Sequence, residues 1–196
     1  MSAKSWIVLA SLFVILIFVY DFMTKTPSRR MPIEHMVKID YATWLEFAAP
    51  DKSFKAKFPS LPQYASINDA PMFGLVAGKV SQTVYAAQAQ DKTKFSVTLI
   101  KPAKPLVDAD VDGLIDDVVS NLSASTPGSG IAGKKQLEFL SHTALDVTLQ
   151  GAATTLKSRI FYANSILYVV TVSGKTAERV QADFDMFTRS FTLTPE

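Results

Sequence analysis

KFSVTLIKPAKPLVDADVDGLIDDVVSNLS, residues 94–123, changes its hydrophobic period halfway along. From Lys94 to Lys101 the period is two, with Phe95, Val97 and Leu99 on one face and Ser96 and Thr98 on the other, which predicts a half-buried strand. After Pro102 and Pro105 the apolar residues Val107, Val111, Leu114, Ile115, Val118 and Leu122 recur at spacings of three and four. That spacing predicts an amphipathic helix from Asp108 to Ser123, lying over a sheet. A strand and then a helix of this kind, among many further strands, place the chain in the α+β class.

Upstream, Leu75 to Ala89 is rich in Val, Thr, Tyr and Ala and reads as a long strand, joined to Lys94–Lys101 by a hairpin turn at Gln90-Asp91-Lys92-Thr93. Before it, Thr43–Phe47 and Ser53–Pro59 read as a second hairpin turned at Pro50-Asp51. Phe54, Ala56 and Phe58 mark its core face. Lys55 and Lys57 alternate with them, and a solvated strand face is preferred there to an anionic-ligand patch. Pro59 and Pro62 then lead into a loop running from Gln63 to Phe73.

Downstream, Ser123 to Gly133 (SASTPGSGIAG) has the composition of a flexible loop. Its glycines ahead of Lys134 and Lys135 lack the spacing of a phosphate-binding loop. Four strands follow, Lys135–Leu140, Ala144–Gln150, Thr154–Ala163 and Ser165–Ser173, with His142 in the first turn and Asn164-Ser165 in the last. A helix from Thr176 to Ser190 carries Val180, Phe184 and Phe187 on one stripe that continues to Phe191, and Phe191-Thr192-Leu193 is a candidate terminal strand.

The amino terminus has a different character. Trp6 to Tyr20 contains no charge, and with Phe22 and Met23 beyond Asp21 it would span about 27 Å as a helix, close to the bilayer's hydrocarbon thickness of about 30 Å. Lys4 would suit a cleaved signal, but no Ala-x-Ala-like site follows the core. With no cysteine in the chain, lipidation at a cysteine is ruled out as well. Residues 1–23 are therefore expected to be an uncleaved transmembrane anchor with the lipid bilayer as partner through 6–23. Residues 24–40 form the expected juxtamembrane linker, with His35 as a solvated linker residue, and 41–196 the folded domain. Charge counting across the anchor, Lys4 against Lys25, Arg29, Arg30 and Lys38, would keep the domain inside. A short head before a long apolar helix is instead typical of single-span export anchors. The expectation is a single-pass inner or plasma membrane protein with its soluble domain on the exported, periplasmic face.

Composition narrows the function classes. The pI of 8.7 reflects the membrane flank: Lys4, Lys25, Arg29 and Arg30 are four of twenty basic residues and Asp21 is one of eighteen acidic ones, which leaves sixteen against seventeen, or about −1. A domain without basic surplus gives no support to nucleic-acid binding. Absent cysteines remove disulfides, zinc-thiolate sites and thiol nucleophiles. Two histidines and scattered acids allow no Ser-His-Asp or paired-carboxylate arrangement, so no catalytic residue, cofactor or metal is assigned and an enzyme is not expected.

The sharpest motif is Asp108-Ala-Asp110-Val-Asp112-Gly113-Leu114-Ile115-Asp116, which matches a calcium loop at positions 1, 3, 5, 6, 8 and 9. The twelfth position, which needs a bidentate Glu, is Val119, and Lys101-Pro102-Ala103-Lys104-Pro105 cannot form the entering helix. An acidic helix cap is preferred to a calcium site at Asp108, Asp110 and Asp112.

From Tyr41 to Leu193 the pattern resembles the Mog1/PsbP-like domains. The residues that carry it are Phe47-Ala-Ala-Pro-Asp-Lys-Ser-Phe54-Lys-Ala-Lys-Phe58-Pro59, a long strand pair, an Asp-rich helix, and a final strand pair ending in a helix with Phe184, Phe187, Ser190 and Phe191. The resemblance implies an antiparallel β-sheet flanked by helices on both faces, an α/β/α sandwich, and a role in binding or assembly. PsbP-type members dock on photosystem II and Mog1-type members bind a small GTPase. The expected anchor, the missing lipid-bearing cysteine and the missing transit peptide set this chain apart, so neither partner is carried over. The expected function is a non-enzymatic, membrane-anchored interaction domain that supports a membrane or envelope complex through a protein partner. The alternative is a small-ligand or cation-binding carrier using Asp108 to Asp116.

Overall fold

A computed structural model describes residues 41–71, 79–126 and 128–194. The expected anchor and linker lie outside the described residues. Among those described, no helix is long and apolar enough to cross a membrane.

The chain begins with a 3-10 turn, Tyr41–Thr43, and a hairpin of β1 (Leu45–Ala48) and β2 (Phe54–Phe58). Next come β3 (Gln63–Pro71), β4 (Lys79–Gln88), β5 (Lys94–Pro102) and helix α1 (Asp108–Ser125). The antiparallel run β6 (Gly130–Phe139), β7 (His142–Gln150), β8 (Thr155–Ala163) and β9 (Ile166–Gly174) leads to helix α2 (Ala177–Ser190) and the short β10 (Thr192–Leu193). Seven strands form one antiparallel sheet in the order β3-β4-β5-β9-β8-β7-β6, and β1-β2-β10 form a second.

β9 lies at the centre and is buried on both faces, so its residues from Ile166 to Val172 are all apolar except Thr171. Tyr168, Val170 and Val172 point into one core with Phe95, Val97, Phe161, Phe184, Phe187 and Phe191, closed by α2 and the small sheet. Leu167 and Val169 point into the other core, with Val147, Leu149 and Ile160, beneath Leu114, Val118 and Val119 of α1. The result is a sandwich with a helix on each face of the main sheet, an α+β architecture.

The first core is aromatic. Phe54 stacks on Phe191 at 5.2 Å, Phe58 meets Phe187 edge-on at 4.9 Å, and Trp44 meets Phe95 at 5.0 Å. These contacts hold the β1–β2 hairpin to α2 and the main sheet, with no backbone hydrogen bond between the two sheets among the described residues. Reading the β1–β2 residues from sequence identifies the hairpin, in register Leu45↔Phe58 to Ala48↔Lys55, but not its separation into a second sheet with β10.

Three boundaries differ from the sequence reading. Gln63–Pro71, expected as loop, is the edge strand β3. The flexible stretch 123–133 is divided between the end of α1 and the start of β6, whose residues Gly130 to Gln136 are exposed. Both strands lie at sheet edges, where one side chain in two need not be apolar, so neither shows the alternation of a half-buried strand. The expected strand start at Leu75 falls outside the described residues. The turn between β6 and β7 is Leu140-Ser141, both at positive φ, and His142 is the first residue of β7, not a turn residue.

Candidate functional site

Asp108, Asp110 and Asp112 all lie in the first turns of α1. On a helix with 3.6 residues per turn, Asp108 and Asp112 share one face and Asp110 points away from them, so the three carboxylates do not converge on one point. Among the described residues no group of three or more His, Asp or Glu side chains is gathered as a metal site. The acids do not cap the helix either. Val107 is the N-cap, with no side-chain cap hydrogen bond, and Asp108 and Asp110 act only through the positive end of the helix dipole.

Two polar clusters are inside the fold. Asp183 of α2 is fully buried. Its Oδ1 accepts the Tyr41 hydroxyl at 3.0 Å and its Oδ2 accepts Arg179 Nε at 2.7 Å, and Arg179 Nε also lies 3.5 Å from Asp91 in the β4–β5 turn. Burial raises the Asp183 pKa, and the hydrogen bonds from Arg179 and Tyr41 only partly offset it. Arg159 of β8 forms a two-pronged pair with Asp146 of β7 at 2.7 and 2.8 Å, and its guanidinium lies over the rings of Phe139 and Phe184. Each cluster consists of paired charges that join elements. The first ties the 3-10 turn, α2 and the β4–β5 turn together, and the second closes the flank of α2.

The surface has a different feature. Tyr85 of β4 contacts Phe54 and Phe47, each at 5.4 Å, and on its outer side Tyr64 of β3 at 6.0 Å. The aromatic core thus continues through Tyr85 to a ring that is 68% exposed on an edge strand. Leu61, just before that strand, is 72% exposed, and Leu45, directly opposite Phe58 in β1–β2, is also exposed. Burial raises the Tyr85 pKa, with Asp51 and Tyr64 adding to it, so its hydroxyl stays protonated. A tyrosine held against the aromatic core on one side and exposed on the other is of the residue type enriched among anchor residues in protein–protein interfaces. Leu61 and Tyr64 were missed in the sequence because both belong to the stretch from Pro59 to Phe73 that reads as irregular. The one available signal was a Leu and a Tyr three residues apart among turn-forming residues.

No protein-family model matches the sequence, and no curated protein does. Among solved structures, the solution structure of cyanobacterial PsbP (CyanoP) from Synechocystis sp. PCC 6803 is similar with a TM-score of 0.49 and 13% identity, over 83% of this chain and 98% of that one. A protein of unknown function from Pseudomonas aeruginosa is similar with a TM-score of 0.37 and 12% identity, over 78% of this chain and 97% of that one. One of the two is a PsbP, whose family pattern the sequence resembles. At these values neither similarity carries an argument about what this chain binds or does.

Proposed function

We propose that the chain is a non-enzymatic, membrane-anchored interaction domain that supports assembly of a membrane or envelope complex, with residues 6–23 as its anchor. The observation that carries this reading is the exposed Tyr64 ring, backed by the aromatic core through Tyr85, with Leu61 also exposed three residues earlier in the chain. Large side chains held rigidly at a surface lose little entropy when a partner covers them, which makes them effective binding anchors. The anchor adds to this by confining the domain to the membrane plane and raising its effective concentration near membrane partners. The exported face is the side proposed for the domain.

The test is a photo-crosslinking amino acid placed at Tyr64, and in a control chain at Asp112 on α1, with the full chain expressed in its own cells. The reading predicts one dominant protein adduct from position 64, weakened by Leu61→Asp, and none from position 112. Equal adducts from both positions, or none from position 64 while the protein migrates as a free monomer, would overturn it.

A further inference from the structure

Helix α1 and the small sheet, on opposite faces of the main sheet, differ in the sign of their exposed charge. Helix α1 carries Asp108, Asp110, Asp112, Asp116 and Asp117, and no Lys or Arg occurs between its ends. The β1–β2 hairpin, on the far side of the main sheet, carries Lys52, Lys55 and Lys57, all exposed, against Glu46 and Asp51. Asp51 is already held by Lys101 at 2.6 Å. In β2 the apolar Phe54, Ala56 and Phe58 are buried while Lys55 and Lys57 point outward. Thr192 of β10 pairs with Lys55 and also faces out. Arg189 is exposed near the same sheet, because the next residue, Ser190, accepts the Lys57 N–H at 3.0 Å. None of these four cations lies within 4 Å of a carboxylate among the described residues, although Glu46 stands opposite Lys57 in the β1–β2 register.

The chain outside the described residues joins this same layer. Tyr41 is fixed to α2 by Asp183, and β1 begins four residues later. The preceding residues 24–40 include Lys25, Arg29, Arg30 and Lys38. Fully extended at about 3.5 Å per residue they reach on the order of 60 Å, so an anchored domain stays within one tether length of the headgroups.

We infer that the outer face of β1-β2-β10 docks on an anionic phospholipid surface through Lys52, Lys55, Lys57 and Arg189, with the acidic α1 turned away from the membrane. This rests on the proposed anchor. Attraction to anionic headgroups acts within a Debye length of about 10 Å at 0.1 M salt and about 3 Å at 1 M. Docking is therefore salt-sensitive, and it orients the domain so that both ends of its charge distribution are satisfied.

The natural absence of cysteine makes the test specific. Full chains with Thr192→Cys or Asp112→Cys are labelled with a fluorophore and reconstituted in phosphatidylcholine vesicles with or without phosphatidylglycerol and with a headgroup-attached quencher. Quenching at position 192 alone, only with phosphatidylglycerol, and reversed by 1 M salt is the expected result. Changing Lys52, Lys55 and Lys57 together to Gln should weaken docking on the order of 100-fold, at about fivefold per lysine, with the melting temperature held as a control on folding. Equal quenching at 192 and 112, or quenching indifferent to phosphatidylglycerol, overturns the inference. So does absence of quenching at 192, which would leave the lysines to an acidic protein partner. Alkaline carbonate extraction of the same vesicles tests the anchor by itself, since release of the chain would refute the anchor while the quenching comparison is still read on vesicle-bound chain.

Discussion

Asp51 and Asp183 are both hydrogen-bonded carboxylates, and their environments push them in opposite directions. At Asp51, burial raises the pKa, but the bonds from Lys101 and Ser53 outweigh it and the carboxyl ends below its ordinary 3.8. Its stabilising contribution is therefore present above 3.8 and lost as pH falls through the folded value. At Asp183, burial dominates and the pKa is raised, so the folded state favours the proton and stability is lost as pH rises from 3.8 through the folded value. Thermal melts should separate the two: the deficit of Asp51→Asn relative to the parent shrinks as the solution is acidified, whereas that of Asp183→Asn shrinks as pH rises. Parallel pH profiles for the two variants would contradict this account. Tyr41→Phe should cost about 1 kcal/mol by removing the hydroxyl from a buried acceptor, read by denaturant unfolding, with no loss expected from the same substitution at the exposed Tyr64. None of this was legible in the sequence, because Tyr41 and Asp183 are separated by most of the domain and only the packing of α2 brings them together.

At the scale of elements, legibility followed burial. β5, β8 and β9 were readable because their side chains alternate between two apolar cores, and α1 and α2 because each shows one apolar stripe. β3 and the first half of β6 were not, since an edge strand facing water has no reason to alternate. The acidic segment at the start of α1 is legible as helix, but its acids follow the N-cap Val107 and do not form the cap. Millimolar calcium should accordingly leave the melting temperature unchanged, and a rise abolished by Asp108→Asn would contradict the helical reading. The aromatic core is the opposite case, since Phe187 contacts Trp44, Phe58 and Phe95 and so joins α2, both sheets and the amino-terminal turn. Phe187→Ala should cost about 3–5 kcal/mol in urea unfolding, and a loss under 1 kcal/mol would mean that the hairpin is held by something else.

For the whole molecule, the proposed arrangement combines an anchor at 6–23, a basic tether and a sandwich with Leu61 and Tyr64 exposed at the β3 side for a partner. Orientation across the membrane is open to a direct measurement. Ser129→Cys, in the turn before β6, should react with a membrane-impermeant maleimide in intact cells if the domain is exported, and only after lysis if the arginine-bearing flank holds it inside. The central claim concerns the interaction surface, and it is tested most directly by the size of the complex purified in mild detergent. The parent chain is expected to elute with a second protein, and the double variant Leu61→Asp, Tyr64→Ala as the lone chain with an unchanged melting temperature. A parent chain that elutes alone, or a double variant that keeps the same partner, would contradict the account.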